Sequence, residues 1–209
     1  MTARNTLGEY LRALAAPRPA RGRARPRQEA VRPGIRELLG SLNLPAFVES
    51  RMFDVLAANG LATALSPSIR AGENRLRSVF LDPAERDRYP DVGKALGGMV
   101  ASFRASVGTD TDDPRVAQLV GELSLASEEF RRLWARHDVK SLAGGAFAFH
   151  HPEVGELSLR REKLPIGESG GQLLVLYYPA PGSASAGALA RLAAAVATGA
   201  TAPSRERAR

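Results

Sequence analysis

Residues 112–159 read DDPRVAQLVGELSLASEEFRRLWARHDVKSLAGGAFAFHHPEVGELSL, and this stretch decides the predicted fold. Asp113 and Pro114 predict a helix start, because a capping carboxylate precedes a proline at the first helical position. Ser127 predicts a second helix start by the same capping chemistry. After Gly144-Gly145 the apolar residues alternate as they do in strands. The stretch therefore predicts two consecutive helices followed by a strand.

The second predicted helix has an apolar face and a basic face. Four residues at positions i, i+3, i+4 and i+7 share one face, namely Phe130, Leu133, Trp134 and His137. The opposite face carries Arg131, Arg132 and Arg136. An aromatic pair at helical spacing is usually part of a core, so we expect Phe130 and Trp134 to face inward.

These residues resemble the ligand-binding domain of the MmyB-like transcription regulators. The resemblance lies in ELSLASEEFRRLWARHDV (122–139) and FHHPEVGELSL (149–159), with further matches at 45–65, 74–91 and 171–192. All five segments follow the family's order and spacing, from about residue 33 to about residue 195. The resemblance implies a PAS-like sensor domain with an apolar pocket for a small, lipid-like effector. Most relatives carry a helix-turn-helix DNA-binding domain ahead of it.

The predicted elements give an α/β (α+β) order, with strands near both ends and helices between them. Strands are predicted at 45–48, 52–56, 147–150, 156–164 and 172–178. Helices are predicted at 35–42, 59–65, 92–106 and 184–197, with further helix starts after Asp82, Asp113 and Ser127. This order suits a PAS-like antiparallel sheet with helices covering one face. The predicted domains are a basic, disordered arm (1–32), the ligand-binding domain (33–197) and a disordered tail (198–209).

The positive charge of the chain is concentrated in its first residues. The formal net charge is +7, and residues 1–36 contain nine arginines but two acidic residues. The segment ARGRARPRQ (20–28) has no apolar periodicity, which is typical of a solvated, disordered arm. A soluble basic linker is the favoured interpretation. The alternative is nonspecific nucleic-acid binding through Arg18, Arg21, Arg23, Arg25 and Arg27.

The segment TLGEYLRALAA (6–16) resembles the start of the helix-turn-helix domain of these regulators. In relatives it continues through several tens of residues that include a recognition helix. Here it passes directly into PRPARGRARPR, which leaves no room for two more helices of about ten residues each. We therefore expect the DNA-reading module to be missing or truncated, and we expect no specific DNA contact from this chain.

Composition and motifs exclude several kinds of site. The chain has no cysteine, so disulfides, thiolate metal ligands and cysteine nucleophiles are excluded. No apolar run approaches the ~20 residues of a membrane helix, and the N-terminus has no apolar signal core. No Gly-rich phosphate loop, nucleophile elbow or metalloprotease motif is present. We expect a cytoplasmic protein that is not an enzyme and has no membrane segment.

Ten residues are predicted to contact the ligand, namely Phe53, Arg77, Phe80, Met99, Phe103, Leu123, Trp134, His137, Phe149 and Leu174. The apolar members belong to a larger set in which the sequence does not separate core from pocket. That set also contains Val55, Leu56, Leu96, Val100, Leu119, Leu133 and Leu176. Arg77 can bind a carboxylate head group bidentately, or it can pair with Asp82 or Glu85.

The remaining polar candidates have structural interpretations that we favour. Asn59 follows an apolar strand and is expected to cap the next helix, and Arg131 is expected to form pairs on the helix surface. Asn74 is a candidate without an assigned role. His150 and His151 are neighbours in a predicted strand, so their side chains point to opposite faces. At most one of them can join His137, and we expect no metal site.

Two functions remain open from the sequence. The preferred one is the ligand-sensing domain of a transcription regulator that binds a fatty-acid-like effector and has no specific DNA reader of its own. The alternative is a protein that binds nucleic acid nonspecifically through its basic arm. Because relatives of the family dimerise, the expected protein partner is a second copy or an intact regulator. No cofactor is expected beyond a bound fatty-acid-like molecule.

Overall fold

The computed structural model describes residues 30–108, 113–136 and 146–199, and the elements below lie within these ranges. The strands are β1 (Ala46–Glu49), β2 (Val55–Ala58), β3 (Ala146–His151), β4 (Gly155–Pro165) and β5 (Leu173–Pro179). The helices are α1 (Pro33–Ser41), α2 (Gly60–Leu65), α3 (Arg75–Leu81), α4 (Pro83–Arg86), α5 (Val92–Val107), α6 (Pro114–Ala126), α7 (Glu128–Ala135) and α8 (Ala184–Ala197). The predictions for the arm, the tail, His137 and the helix-turn-helix start concern residues outside the described ranges.

The five strands form one antiparallel sheet in the order β2-β1-β5-β4-β3. Side chains alternate along β5, so Val175 and Tyr177 lie on one face, here called the inner face, and Leu174 and Leu176 lie on the outer face. Helices α2 and α8 pack on the inner face, and α1 packs on the outer face. The predicted α/β class, with helices packed on an antiparallel sheet, is confirmed. The expectation that helices cover one face is wrong, because α1 covers part of the other.

A second apolar cluster, the helical core, lies among α3, α5, α6 and α7. Residues from these helices pack there together with Met52 and Phe53 from the β1–β2 connection. Tyr89, between α4 and α5, packs against both the helical core and the inner-face cluster. The helical core and the inner face of the sheet are therefore contiguous.

Most helix starts follow from local capping chemistry. The Asp113 carboxylate accepts the Arg115 amide at 2.9 Å, and the Ser127 hydroxyl accepts the Phe130 amide at 3.2 Å. Asp82 caps α4 through the Ala84 amide at 2.9 Å. These three predicted helix starts are confirmed, and α8 spans the residues predicted for it.

Two segments differ from the prediction. Strand β2 begins at Val55 rather than at Met52, because residues 50–54 form a turn in which the Ser50 hydroxyl accepts the amides of Met52 and Asp54, each at 3.1 Å. Phe53 has a φ of 65° in this turn, which is uncommon for a bulky residue and gives no signal in the sequence. Helix α3 received no prediction, although Leu76, Val79 and Phe80 recur at helical spacing and Asn74 caps it.

None of the helices in the described ranges combines the length and apolar character that crossing a membrane requires.

Candidate ligand-binding site

Six of the predicted ligand-binding residues meet in the helical core. Trp134 is partly buried, and the other five are buried, namely Phe53, Phe80, Met99, Phe103 and Leu123. The helices place them there because their apolar residues recur at helical spacing along α3, α5, α6 and α7. The structure therefore brings most of the predicted apolar set together.

The aromatic rings of the helical core form a continuous series. Phe53 meets Phe103 edge to face with 5.7 Å between ring centroids, and Phe103 lies 5.7 Å from Trp134. Trp134 stacks on Phe130 at 5.8 Å with 10° between the ring planes, and Phe130 meets Phe80 edge to face at 5.0 Å. Five aromatic side chains thus line one apolar region that begins beside the β1–β2 turn.

The other two predicted apolar residues lie in different places. Phe149 is buried on the inner face, where its ring meets Tyr89 at 5.5 Å. Leu174 is on the outer face, packed in the cluster beneath α1. The alternation of β5 separates Leu174 from the helical core, and this periodicity was already visible in the sequence.

Arg77 already has a carboxylate partner in the protein. Its Nε and Nη2 atoms each donate to one oxygen of Glu122 at 2.7 Å, so α3 and α6 are joined by a bidentate pair. The hydrogen bond raises the pKa of Arg77 and lowers the pKa of Glu122. The alternative in which Arg77 pairs with Asp82 or Glu85 is wrong, because the guanidinium of Arg77 pairs with Glu122 on α6.

The other polar candidates hold the backbone. Asn59 caps α2, as predicted, by accepting the Ala62 amide at 2.9 Å, and its amide group donates to the Leu44 carbonyl at 2.8 Å. Asn74 caps α3 through the amides of Leu76 and Arg77. Arg131 donates to the Ser124 carbonyl at 3.4 Å.

The two described histidines lie on opposite faces of β3, as predicted. His150 is exposed, and its Nδ1 lies 3.0 Å from a Glu156 oxygen. His151 is buried, with its Nε2 2.9 Å from the Ala64 carbonyl oxygen and its Nδ1 accepting the Glu153 amide at 3.2 Å. In the part of the chain that the structure describes, no three metal-ligating side chains converge.

Arg75 is the buried cation at the boundary between the helical core and the sheet. It is the first residue of α3 and is only 6% exposed. Its guanidinium lies over the Phe47 ring at 5.3 Å and donates to the Tyr177 hydroxyl at 3.0 Å and to the Tyr89 hydroxyl at 3.4 Å. We call Arg75, Tyr89 and Tyr177 the Arg75 cluster.

The environment shifts the pKa of two members of this cluster. Burial by itself lowers the pKa of Arg75, but the nearby tyrosines and the carboxylates of Glu49 and Glu85 raise it overall. Burial raises the pKa of the Tyr89 phenol. The cluster therefore holds a fixed positive charge at Arg75.

Arg75 has unused hydrogen-bonding capacity. A guanidinium carries five N–H donors, and Arg75 uses donors to two phenol oxygens. Within the described residues, no carboxylate lies at ion-pair distance from Arg75. The two buried carboxylates have other cations as partners: Glu49 pairs with Lys163 at 2.5 Å, and Glu85 lies 3.5 Å from Arg88. Such a cation is suited to the head group of an anionic ligand.

The residues of the Arg75 cluster are not among the predicted ligand-binding residues. One available signal was that Tyr177 alternates with Val175 in the same predicted strand, which places the phenol on the buried face. Neither Arg75 nor Tyr89 lies in a predicted strand or helix, so neither had a signal of that kind.

A separate surface cavity lies beside the edge strand β2. Its volume is about 560 Å³, within the range of small-molecule sites. Its walls come from α1 and the residues after it, from the β2–α2 connection and from the last turns of α8. No residue of the predicted ligand-binding set lines it.

Comparison with known proteins gives one family. The family model described as "MmyB-like transcription regulator ligand binding domain" matches residues 31–192. No curated protein matches the chain.

Proposed function

Because the chain belongs to the MmyB-like transcription regulator ligand binding domain family, we propose that its effector is a small apolar molecule with an acidic head group, of the fatty-acid type. The family makes residues 31–192 the ligand-sensing part of a regulator. The chemistry of the effector is our inference from the charges and apolar surfaces inside the domain.

The observation that supports this proposal is that buried Arg75 makes no ion pair within the described part of the chain. A buried cation costs several kcal/mol unless it is paired and hydrogen-bonded. Arg75 has two neutral oxygen acceptors and no carboxylate at ion-pair distance in the described structure. An effector carboxylate would fill this role and accept charge-assisted hydrogen bonds from the guanidinium.

In this proposal the apolar part of the effector packs against the helical core, which adjoins the cluster. Tyr89 contacts the Arg75 guanidinium and also packs against the helical core. Lys163 extends over the Phe53 ring at 4.4 Å, at the other point where the sheet meets the helical core. A hydrocarbon chain anchored at Arg75 would therefore lie along the aromatic series that starts at Phe53.

We further propose that the domain is a PAS-like sensor. Strands β1 and β2 precede the helices of the helical core, and β3 to β5 follow them, as expected for that architecture. A ligand between the inner face and the helical core would change how the two are spaced. Such a ligand shifts the population toward whichever arrangement it binds more tightly.

Binding of dodecanoate to the full chain tests this function. We expect the ligand to raise the melting temperature, since saturation at about 100 times Kd adds about 2.7 kcal/mol to the free energy of unfolding. Arg75→Gln and Tyr177→Phe should weaken binding. Arg70→Gln, which removes an exposed pair with Glu73, is the matched control and should not.

Native mass spectrometry of the gently purified protein provides an independent measurement. It should show a co-purifying molecule of lipid-like mass and, in the same spectrum, the number of subunits. An empty protein that gains no thermal stability from dodecanoate or other alkyl carboxylates would refute the proposal.

We also propose that the chain is not an enzyme, needs no cofactor, and acts in the cytoplasm as a homodimer or by pairing with an intact regulator. The alternative function is nonspecific nucleic-acid binding by residues 1–32. A salt series of DNA binding, with and without those residues, separates the two functions. Strong salt-dependent binding that is lost with the arm would favour the alternative.

A further inference from the structure

Arg161 is a second cation on the inner face, next to the Arg75 cluster. Leu157, Leu159 and Lys163 face the helices from β4, so the alternation of the strand places Arg161 on the same face. Arg161 lies directly across from Tyr177 in the β4–β5 pairing. Side chains opposite each other in an antiparallel pair have Cβ atoms about 5 Å apart. Arg161 is therefore the cross-strand neighbour of Tyr177, whose phenol accepts from Arg75.

The carboxylates near these two arginines are already matched with other cations. Glu49 and Glu85 are the buried carboxylates of the described residues. Glu49 pairs with Lys163 at 2.5 Å, and Glu85 faces Arg88 at 3.5 Å. Arg161 is half-buried, and its side chain makes no hydrogen bond or ion pair among the described residues. Within the described ranges, the guanidinium groups of Arg75 and Arg161 on the inner face thus make no ion pair with a carboxylate.

We infer that the effector carries two negative charges on its head group, one facing Arg75 and the other facing Arg161. This inference rests on the proposed function, because it describes the head group of the same effector. A phosphate monoester on an apolar chain has the required chemistry, with about two negative charges near pH 7. Its oxygens can accept paired N–H donors from both guanidinium groups.

The sequence around Arg161 offers a matched control. Arg160 is the preceding residue of β4, and it is exposed on the outer face. Substitution of either arginine by glutamine removes one positive charge from the same strand. Only the change at Arg161 removes a charge from the inner face. A difference in ligand binding between the two variants would therefore show that the inner-face position of the charge matters.

The experiment compares three ligands of equal chain length by titration calorimetry on the full chain, below their micelle-forming concentrations. The ligands are dodecyl phosphate, dodecanoate and 1-dodecanol. We expect dodecyl phosphate to bind about tenfold more tightly than dodecanoate, the effect of one additional charge-assisted hydrogen bond. Dodecanol should bind most weakly.

Variants of Arg161 and Arg160 test whether Arg161 causes the preference for dodecyl phosphate over dodecanoate. Arg161→Gln should weaken dodecyl phosphate binding about tenfold and leave dodecanoate binding within about twofold. Arg161→Lys should recover part of the loss, because it restores the charge without the fork geometry. Arg160→Gln should bind both ligands as the unchanged protein does.

Two outcomes overturn the inference in distinguishable ways. Equal affinity for dodecyl phosphate and dodecanoate, or equal losses for both in Arg161→Gln, would show that Arg161 does not select the head group, while the proposed function would stand. No binding of any of the three ligands would overturn the proposed function and this inference together.

Discussion

The ion pair between Glu49 and Lys163 allows a quantitative test of the charge arrangement on the inner face. The two charged groups approach to 2.5 Å, and the side chains of Glu49 and Lys163 are 3% and 22% exposed. Lys163 also lies over the Phe53 ring at 4.4 Å. Breaking a buried pair by removing one partner typically costs about 3–5 kcal/mol, because the remaining charge is left without compensation.

The expected effects differ between the single and double variants. Glu49→Met should cost about 2 kcal/mol, below the usual range, because the ammonium of Lys163 keeps some solvent and the Phe53 ring. Lys163→Met should cost about 3 kcal/mol, since it leaves the nearly inaccessible Glu49 carboxylate without its cation. The double variant should cost less than about 2 kcal/mol, because two apolar side chains replace the pair.

Urea unfolding followed by circular dichroism measures each free energy of unfolding at constant m-value. The double-mutant cycle should therefore give a coupling energy of at least about 3 kcal/mol. Strictly additive effects of the two substitutions would refute the reasoning, since they would mean that the pair is solvated and the inner face does not behave as a buried environment.

Three further predictions concern other parts of the domain. Phe130→Ala should lower the free energy of unfolding by about 4 kcal/mol and shift the fluorescence of Trp134, the single tryptophan. The control is Leu125→Ala on α6, whose side chain is 89% exposed. In thermal unfolding followed by fluorescence, this control should change neither the stability nor the Trp134 signal. Asn59→Ala should cost about 2 kcal/mol, because it removes the cap of α2 and the hydrogen bond to Leu44; a cost no greater than that of the exposed Asn43→Ala would contradict this in urea titrations. Arg77 lowers the pKa of Glu122 below its ordinary value of 4.5, so the stabilisation it gives is present above that pH and is lost as the pH falls through the lowered pKa. With both side chains about 40% exposed the effect should be below about 1 kcal/mol, and Glu122→Gln should flatten the acid limb of the stability profile.

Local chemistry made much of the secondary structure predictable. Asp82, Asp113 and Ser127 start helices at the positions where the sequence predicts them, because a cap needs only a side chain and an amide two or three residues later. The turn at residues 50–54 was not predictable in the same way. It depends on a positive φ at Phe53, a residue type that rarely adopts one.

The candidate site was predictable in its apolar part and not in its polar part. The apolar residues of α5 and α7 are spaced for one helix face, so the helical core follows from periodicity. The segment NRLR offers two arginines, Arg75 and Arg77, and the sequence analysis selected Arg77. In the fold, Arg77 pairs with Glu122 and Arg75 enters the interior. A helix of seven residues gives too short a pattern to tell these two directions apart.

The sequence by itself determined the family, the order of strands and helices, and the separation of polar from apolar faces. These properties depend on neighbours within a few residues of each other, where caps and periodicity act. The tertiary structure alone decided which charges lack partners. Arg75 meets Tyr177 across 102 residues of chain, and Arg161 lies beside them through the β4–β5 register. Contacts of this range depend on how whole elements pack, which no local pattern encodes.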